Sequence, residues 1–199
     1  LQEHNLSHGD LSVRNVLVYE GQCYMIDFGL AYKMTNKKYI KDRLQFLFEN
    51  DSIYDAYSFD YVLYTGSLHT KQLHYEYEDL KKNIHREGYN DHMRFQEIVL
   101  QNKQFSTQLK TYMKSMLQGK KYNLSKIIHR LDTYSVGMLF PAGLHDTAVH
   151  LEIPFSQLDT MCKNPEIRDY LQLFRDMTTV DSEKRITVKE AYQKYLSLV

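Results

Sequence analysis

Cysteine is scarce in this 199-residue chain, and neither sign of charge is in excess. The two cysteines, Cys23 and Cys162, lie far apart in sequence and form no metal-binding motif. So few thiols fit a reducing, intracellular setting best. Lysine plus arginine and aspartate plus glutamate number 25 each, so charge gives no argument for nucleic acid or an anionic membrane as a partner.

Long apolar runs, a secretory signal and two familiar motifs are also absent. No apolar stretch approaches the ~18 residues of a membrane-spanning helix, so no membrane span is expected. The nine histidines include no H-E-x-x-H pattern and are expected to be mostly surface or core residues. No G-x-G-x-x-G occurs, so a glycine-rich phosphate loop is not expected within these residues. The apolar fraction of 43% is still enough for a core, and the length predicts one domain or one large lobe.

The most informative stretch is 8–15, which reads His-Gly-Asp-Leu-Ser-Val-Arg-Asn and is followed by Asp-Phe-Gly at 27–29. Between these motifs, Val16–Tyr19 and residues 24–26 are rich in β-branched and aromatic side chains. They flank a Glu-Gly pair at 20–21, which predicts a short β-hairpin.

In a hairpin the start of the first strand and the end of the second strand lie side by side. Asp10, Asn15 and Asp27 are therefore expected to lie at one rim of it. Two carboxylates and an amide oxygen form a hard, oxygen-only site, which suits Mg²⁺ with phosphate as a further ligand.

These two motifs resemble the catalytic loop, H-R-D-L-x-x-x-N, and the D-F-G loop of eukaryotic-type protein kinases. The resemblance implies that Asp10 accepts the proton of the substrate hydroxyl. It further implies that Asn15 binds one Mg²⁺ and that Asp27 binds the ion bridging the phosphates of ATP. The supporting residues it implies in the same motifs are His8, Phe28 and Gly29.

Two positions near the candidate catalytic aspartate depart from the family pattern, and a third resembles that of tyrosine kinases. Gly9 replaces the usual arginine that docks a phosphorylated activation loop, which puts that mode of switching in doubt. Ser12 replaces the lysine common in serine/threonine kinases. Arg14 is placed as in tyrosine kinases, and it either supplies a cation near the transferred phosphoryl group or is a solvated loop charge.

Protein kinases have an N-terminal lobe that supplies the glycine-rich loop, a strand lysine and a helix glutamate. The opening residues 1–7 resemble only the last turn of the helix that runs into the catalytic loop. The sequence is therefore expected to cover a C-terminal lobe alone. Either the native protein is longer, or a partner supplies the missing lobe, or ATP is not held in the usual way.

The segment 31–130 resembles the family poorly, and its periodicity predicts mostly helices. A polar loop is expected over 33–42, a helix over 41–49, a second helix over 54–64, and further helices within 75–118. The clearest apolar stripe in this region consists of Phe105, Leu109, Tyr112, Met113, Met116 and Leu117, with Gly119 as a stop.

Asp132 is the candidate for the carboxylate that anchors the catalytic loop from the start of the family's central helix. A strained loop has buried N–H donors, and a buried carboxylate can accept two of them. Asp55 has a similar context, and neither residue has the family's usual spacing from Asp27. Asp132 is preferred because segment 181–187 follows it at a plausible family distance.

Segment 181–187 resembles the D-P-x-x-R-x-T turn near the end of kinase domains. Its Arg185 would pair with the glutamate of an A-P-E motif, but no such motif is present, so its partner stays open. Thr187 and Glu190 predict a capping box for the last helix. The apolar stripe of that helix is Val188, Ala191, Tyr192, Tyr195 and Leu196. The preceding helix has Tyr170, Leu171, Leu173, Phe174 and Met177.

Together these features predict a mainly α fold with a small β-hairpin. The expected architecture is a protein-kinase-like C-terminal lobe, 1–199, with a long helical insertion between the D-F-G loop and the central helix. Residues 1–30 hold the catalytic loop, hairpin and D-F-G, 31–130 the activation segment and insertion, and 131–199 the central and C-terminal helices.

The predicted function is that of a protein kinase that transfers the γ-phosphoryl group of ATP, with Mg²⁺, to serine or threonine hydroxyls of proteins, or to tyrosine. One alternative is an inactive kinase-like scaffold or virion structural protein. Another is a small-molecule phosphotransferase, since His-Gly-Asp also resembles antibiotic and choline kinases, although Asp132 and Arg185 argue against it. The composition is similar to kinases of large DNA viruses, which implies the host cytoplasm or virion as location and other virion proteins as partners.

Overall fold

The computed structural model describes residues 1–49, 58, 60, 74, 77, 78, 95–120 and 123–199. Asp55 and most of the helix expected over 54–64 lie outside these residues. Within that expected helix, Ser58 is not helical and Asp60 is, so an unbroken helix through Ser58 is wrong.

Two short antiparallel ladders organise the first part of the chain. Strand β1 is Leu6–Ser7, β2 is Val16–Tyr19, β3 is Gln22–Met25 and β4 is Tyr32–Lys33, and β1 pairs with β4 while β2 pairs with β3. Glu20 and Gly21 form the turn with φ of 49° and 75°, the left-handed values that a two-residue hairpin turn requires. The hairpin is confirmed, although β3 begins earlier than expected.

Helix α1, Lys37–Glu49, begins earlier than the periodicity predicted. Asn36 explains the early start, because its Oδ1 accepts a hydrogen bond from the backbone N–H of Tyr39 at 3.1 Å. The polar loop expected over 33–42 is therefore wrong from Lys37 onward.

The longest of the remaining described helices has 20 residues. These helices are α2 Phe105–Leu117, α3 Leu124–Ile127, α4 Leu131–His150, α5 Phe155–Cys162, α6 Arg168–Met177 and α7 Val188–Leu196, with a π-helical turn at Phe95–Val99. Helix α4 packs against α6 and the π-helical turn. The stripe predicted for α2 is confirmed, since Phe105, Leu109, Tyr112, Met113 and Met116 are buried. No helix in the described part of the chain is long and apolar enough to cross a membrane.

The last helix, α7, has the predicted capping box: Thr187 and Glu190 exchange hydrogen bonds between side chain and backbone. Its predicted apolar stripe is not a core face, however. Ala191 is buried, but Tyr192 and Tyr195 are 57% and 44% exposed. The helix packs on α6 through its small residue, which leaves the aromatic side of the stripe in solvent.

The crossing of α4 and α6 is tight at Gly137, and Gly137→Ala is expected to destabilise the fold by about 1–3 kcal/mol through overpacking. An added Cβ would lie 2.8 Å from both Met177 Cβ and Thr178 Cγ2. Gly143 in the same helix is the control, because its nearest neighbour, Val13 Cγ1, would be at 3.7 Å. Urea denaturation should show Gly143→Ala neutral or stabilising by up to about 1 kcal/mol. Equal unfolding free energies for the two variants would contradict the tight crossing.

Candidate active site

Asp10 and Asn15 form one hydrogen-bonded unit in the loop after β1. The Asn15 side chain Nδ2 donates to the backbone oxygen of Asp10 at 2.7 Å and to its carboxylate Oδ2 at 3.2 Å. Asn15 also ends a 3₁₀ turn, Val13–Asn15, in which its backbone N–H bonds the carbonyl of Ser12. The turn therefore presents the amide to the acid, although the two residues are separated in sequence.

Asp27 is tied to the same unit through the backbone. The N–H of Ile26, its neighbour, donates to the carbonyl of Asn15 at 2.9 Å and extends the hairpin ladder by one bond. Asp27 itself has φ of 57°, and its Oδ1 accepts the N–H of Gly29 at 3.2 Å at the start of the 3₁₀ turn Phe28–Leu30. Its side chain is exposed at the open end of the hairpin.

His8 joins the 8–15 loop to the Asp-Phe-Gly loop at 27–29. Its Nε2 lies 2.9 Å from the carbonyl of Ile26, so this nitrogen carries the proton and donates it. The imidazole is fully buried, and its ring centroid is 4.9 Å from that of Phe28. One side chain thus fixes the peptide before Asp27 to the residue two positions before Asp10.

Gly9 is required by its surroundings, which explains the absence of the family's arginine there. Its φ is +74°, in the left-handed region. A Cβ would lie 2.6 Å from the carbonyl oxygen of Leu30 and 2.9 Å from Cε1 of Tyr32. Any larger residue would push the 8–15 loop away from the segment that follows Asp27.

Asp132, in the first turn of α4, holds the backbone at the start of the 8–15 loop. Its carboxylate accepts hydrogen bonds from Ser7 Oγ at 2.8 Å, from His8 N at 3.0 Å and from Gly9 N at 3.5 Å. Charge-assisted bonds to loop N–H groups are the contacts that the resemblance implies for the anchoring carboxylate. The rival, Asp55, lies outside the described residues.

Arg185 has a partner that sequence reasoning missed. Its Nη1 lies 2.6 Å from Oδ2 of Asp60, and both side chains are fully buried. The guanidinium also donates to the carbonyls of Thr179 and Arg130 at 2.9 and 3.0 Å, and it lies over the ring of Tyr134. The available signal was a lone carboxylate within the apolar run 57–63, since such a group is buried only when it is paired.

The residues at the hairpin end fit a divalent metal that shares phosphate ligands. Among the described residues, no three His, Cys, Asp or Glu side chains are arranged to hold a metal ion alone. Because the nitrogen of the Asn15 amide faces Asp10, its oxygen faces away from that carboxylate. An amide oxygen and the exposed carboxylate of Asp27 are hard donors that suit Mg²⁺ with phosphate oxygens completing the shell. Arg14 is exposed in the same 3₁₀ turn.

A family model described as RIO domain matches residues 1–48, which include both loops, the hairpin and most of α1. No curated protein and no solved structure shows a significant match to the chain. RIO-domain proteins are atypical protein kinases. The match therefore supports kinase-type chemistry with ATP and a divalent metal ion for this part of the chain, and it redirects the resemblance from typical to atypical protein kinases.

Proposed function

We propose that this chain is the C-terminal lobe of an ATP-dependent protein kinase that transfers the γ-phosphoryl group to serine or threonine hydroxyls, or to tyrosine. The observation that carries the proposal is the joined geometry of the two loops. The side chain of Asn15 holds the carboxylate of Asp10, and its carbonyl accepts the N–H of the residue before Asp27. The family match over residues 1–48 supports the same chemistry.

The proposed roles follow from the chemistry of each group. Asp10 accepts the proton of the attacking hydroxyl, and the amide nitrogen of Asn15 orients the carboxylate that does so. The amide oxygen of Asn15 and the carboxylate of Asp27 would hold Mg²⁺, which when bound neutralises charge on the phosphate oxygens. Arg14 is exposed beside this loop and can add a further cation toward the phosphoryl group.

We also propose that an N-terminal lobe, or a partner that supplies one, covers the hairpin. Leu17, Val18 and Tyr19 of β2 are 54%, 70% and 64% exposed, and Met25 of β3 is 45% exposed. Because side chains alternate along a strand and Val16 pairs with Met25, Leu17 and Tyr19 lie on one face of the hairpin and Val18 and Met25 on the other. Apolar side chains exposed on both faces of a hairpin beside a candidate active site favour a further element that covers it.

A phosphotransfer assay on the full native chain tests the function. Wild type, Asp10→Asn and Asp169→Asn are incubated with γ-labelled ATP, Mg²⁺ and mixed protein substrates, and labelled protein and ADP are measured. We expect labelling from wild type and from Asp169→Asn, whose exposed carboxylate lies in α6, and loss of labelling from Asp10→Asn. Equal labelling by wild type and Asp10→Asn would overturn the proposed role of Asp10 and with it the proposal. Absence of labelling from every form would also overturn it and would leave the scaffold alternative. Acid hydrolysis of the labelled product identifies the hydroxyl class.

A further inference from the structure

We infer that Arg43 of α1 is a positioning residue for Asp10, an inference that rests on the proposed phosphotransfer. The Nη2 of Arg43 donates a hydrogen bond to the carbonyl oxygen of Gly9 at 2.9 Å. That oxygen belongs to the planar peptide that includes the backbone nitrogen of Asp10. Fixing the carbonyl therefore fixes the plane from which the Asp10 side chain departs.

Gly9 is held from two sides by groups of opposite charge on two different helices. Asp132 of α4 accepts the N–H of Gly9 at 3.5 Å, and Arg43 of α1 donates to its carbonyl. Glycine has the widest choice of backbone angles, so its two neighbouring peptides rotate easily unless both are bonded. The arrangement fixes both, and it does so one residue before the proposed base.

Packing of α1 explains how the guanidinium reaches this loop. Tyr39 and Arg43 are four residues apart and lie on one face of the helix. The Tyr39 ring centroid is 5.7 Å from that of Tyr32, whose ring in turn lies against Gly9. Ile40, which follows Tyr39 in α1, is 1% exposed, so this side of the helix is buried in the core. Helix α1 thus reaches the loop directly through Arg43 and indirectly through the Tyr39–Tyr32 pair.

This arrangement gives the segment after the D-F-G loop a direct influence on Asp10. Gly9 cannot supply a cation, because no side chain fits at its position. Instead, Arg43 of α1 brings a cation to the loop. A displacement of α1 would break the Arg43 bond and release the Gly9–Asp10 peptide, with no phosphorylated residue required for the effect.

The test compares Arg43→Met, Arg43→Lys and Lys41→Met in the full native chain by steady-state kinetics. Arg43→Met is expected to lower kcat about 10–100-fold, as a misplaced catalytic group does. The KM for ATP should change by less than about 2-fold, since the Arg43 bond goes to the backbone carbonyl of Gly9 and not to a proposed metal ligand. Arg43→Lys keeps one donor and should recover most of kcat. Lys41→Met removes an exposed charge from the same helix and should match wild type.

The outcomes separate this inference from the function on which it rests. If wild type shows no phosphotransfer that depends on Asp10, the proposed function fails and the role of Arg43 fails with it. If wild type is active and Arg43→Met keeps its kcat, the positioning role alone is wrong. A merely structural role predicts a lower melting temperature with kcat restored on cooling well below it, and that result would also overturn the inference.

Discussion

An Asp60→Ala variant is expected to lose about 3–5 kcal/mol of its free energy of unfolding, because removing one partner leaves the other charge buried and uncompensated. Arg185 Nη1 lies 2.6 Å from Asp60 Oδ2, and neither side chain has any exposed surface. Among the described residues, the other groups that bond or stack on the guanidinium are the carbonyls of Thr179 and Arg130 and the ring of Tyr134. None of these carries a negative charge, so none can replace the carboxylate.

An exposed ion pair of equal length provides the matched control. Lys194 Nζ also lies 2.6 Å from a carboxylate, that of Asp176, but the two side chains are 52% and 25% exposed. Asp176→Ala is therefore expected to cost no more than about 1 kcal/mol. Urea denaturation of both variants measures the difference. Similar losses from Asp60→Ala and Asp176→Ala would show that burial does not set the value of the Arg185 pair.

A double variant separates the charge from the packing. Asp60→Leu with Arg185→Met removes both charges and keeps apolar volume, so it is expected to be more stable than Asp60→Ala. The free energies of unfolding lost by Asp60→Leu alone and by Arg185→Met alone should sum to more than the loss in the double variant. A loss in the double variant equal to that sum would contradict this, because it would mean that the two groups do not interact. Burial, with the nearby carboxylates of Asp181 and Asp60, also raises the pKa of Tyr112 above its usual value.

Local signals predicted much of the fold. The hairpin followed from β-branched runs around Glu20-Gly21, the α2 stripe from its 3.6-residue period, and the last helix start from Thr187 and Glu190. The start of α1 was missed because the helix begins in a polar run, where periodicity has no apolar residues to detect. Its signal was the capping residue Asn36 alone.

In the candidate site too, contacts between residues near in sequence could be predicted, and contacts between distant residues could not. The placement of Asp10, Asn15 and Asp27 at one end of the hairpin could be predicted because they lie in two short motifs joined by that hairpin. The Asp60–Arg185 pair and the Arg43–Gly9 bond join residues far apart in sequence. No spacing rule predicts such pairs, since they depend on how the helices pack after they have formed.

An Asp27→Asn variant is expected to lose phosphotransfer by about 10²–10³-fold at low Mg²⁺, because a neutral amide is a weaker ligand than a carboxylate. The substitution should leave the fold intact. Asp27 has φ of 57°, a left-handed conformation that asparagine tolerates well, and its Oδ1 can still accept the N–H of Gly29. The measurement is the rate of protein labelling against Mg²⁺ concentration, with thermal unfolding as the check on folding.

The Mg²⁺ dependence separates the role of Asp27 from that of Asp10. Asp27→Asn should shift half-saturation to higher Mg²⁺ and regain part of its rate there, since excess metal offsets a weakened site. Asp10→Asn should lose about 10²–10⁴-fold at every Mg²⁺ concentration with half-saturation unchanged, since a missing base is not replaced by metal. Asn15 bonds the Asp10 carboxylate and borders the metal position, so Asn15→Ala should show both effects together. The same half-saturation in wild type, Asp27→Asn and Asn15→Ala would contradict a shared metal site at the end of the hairpin.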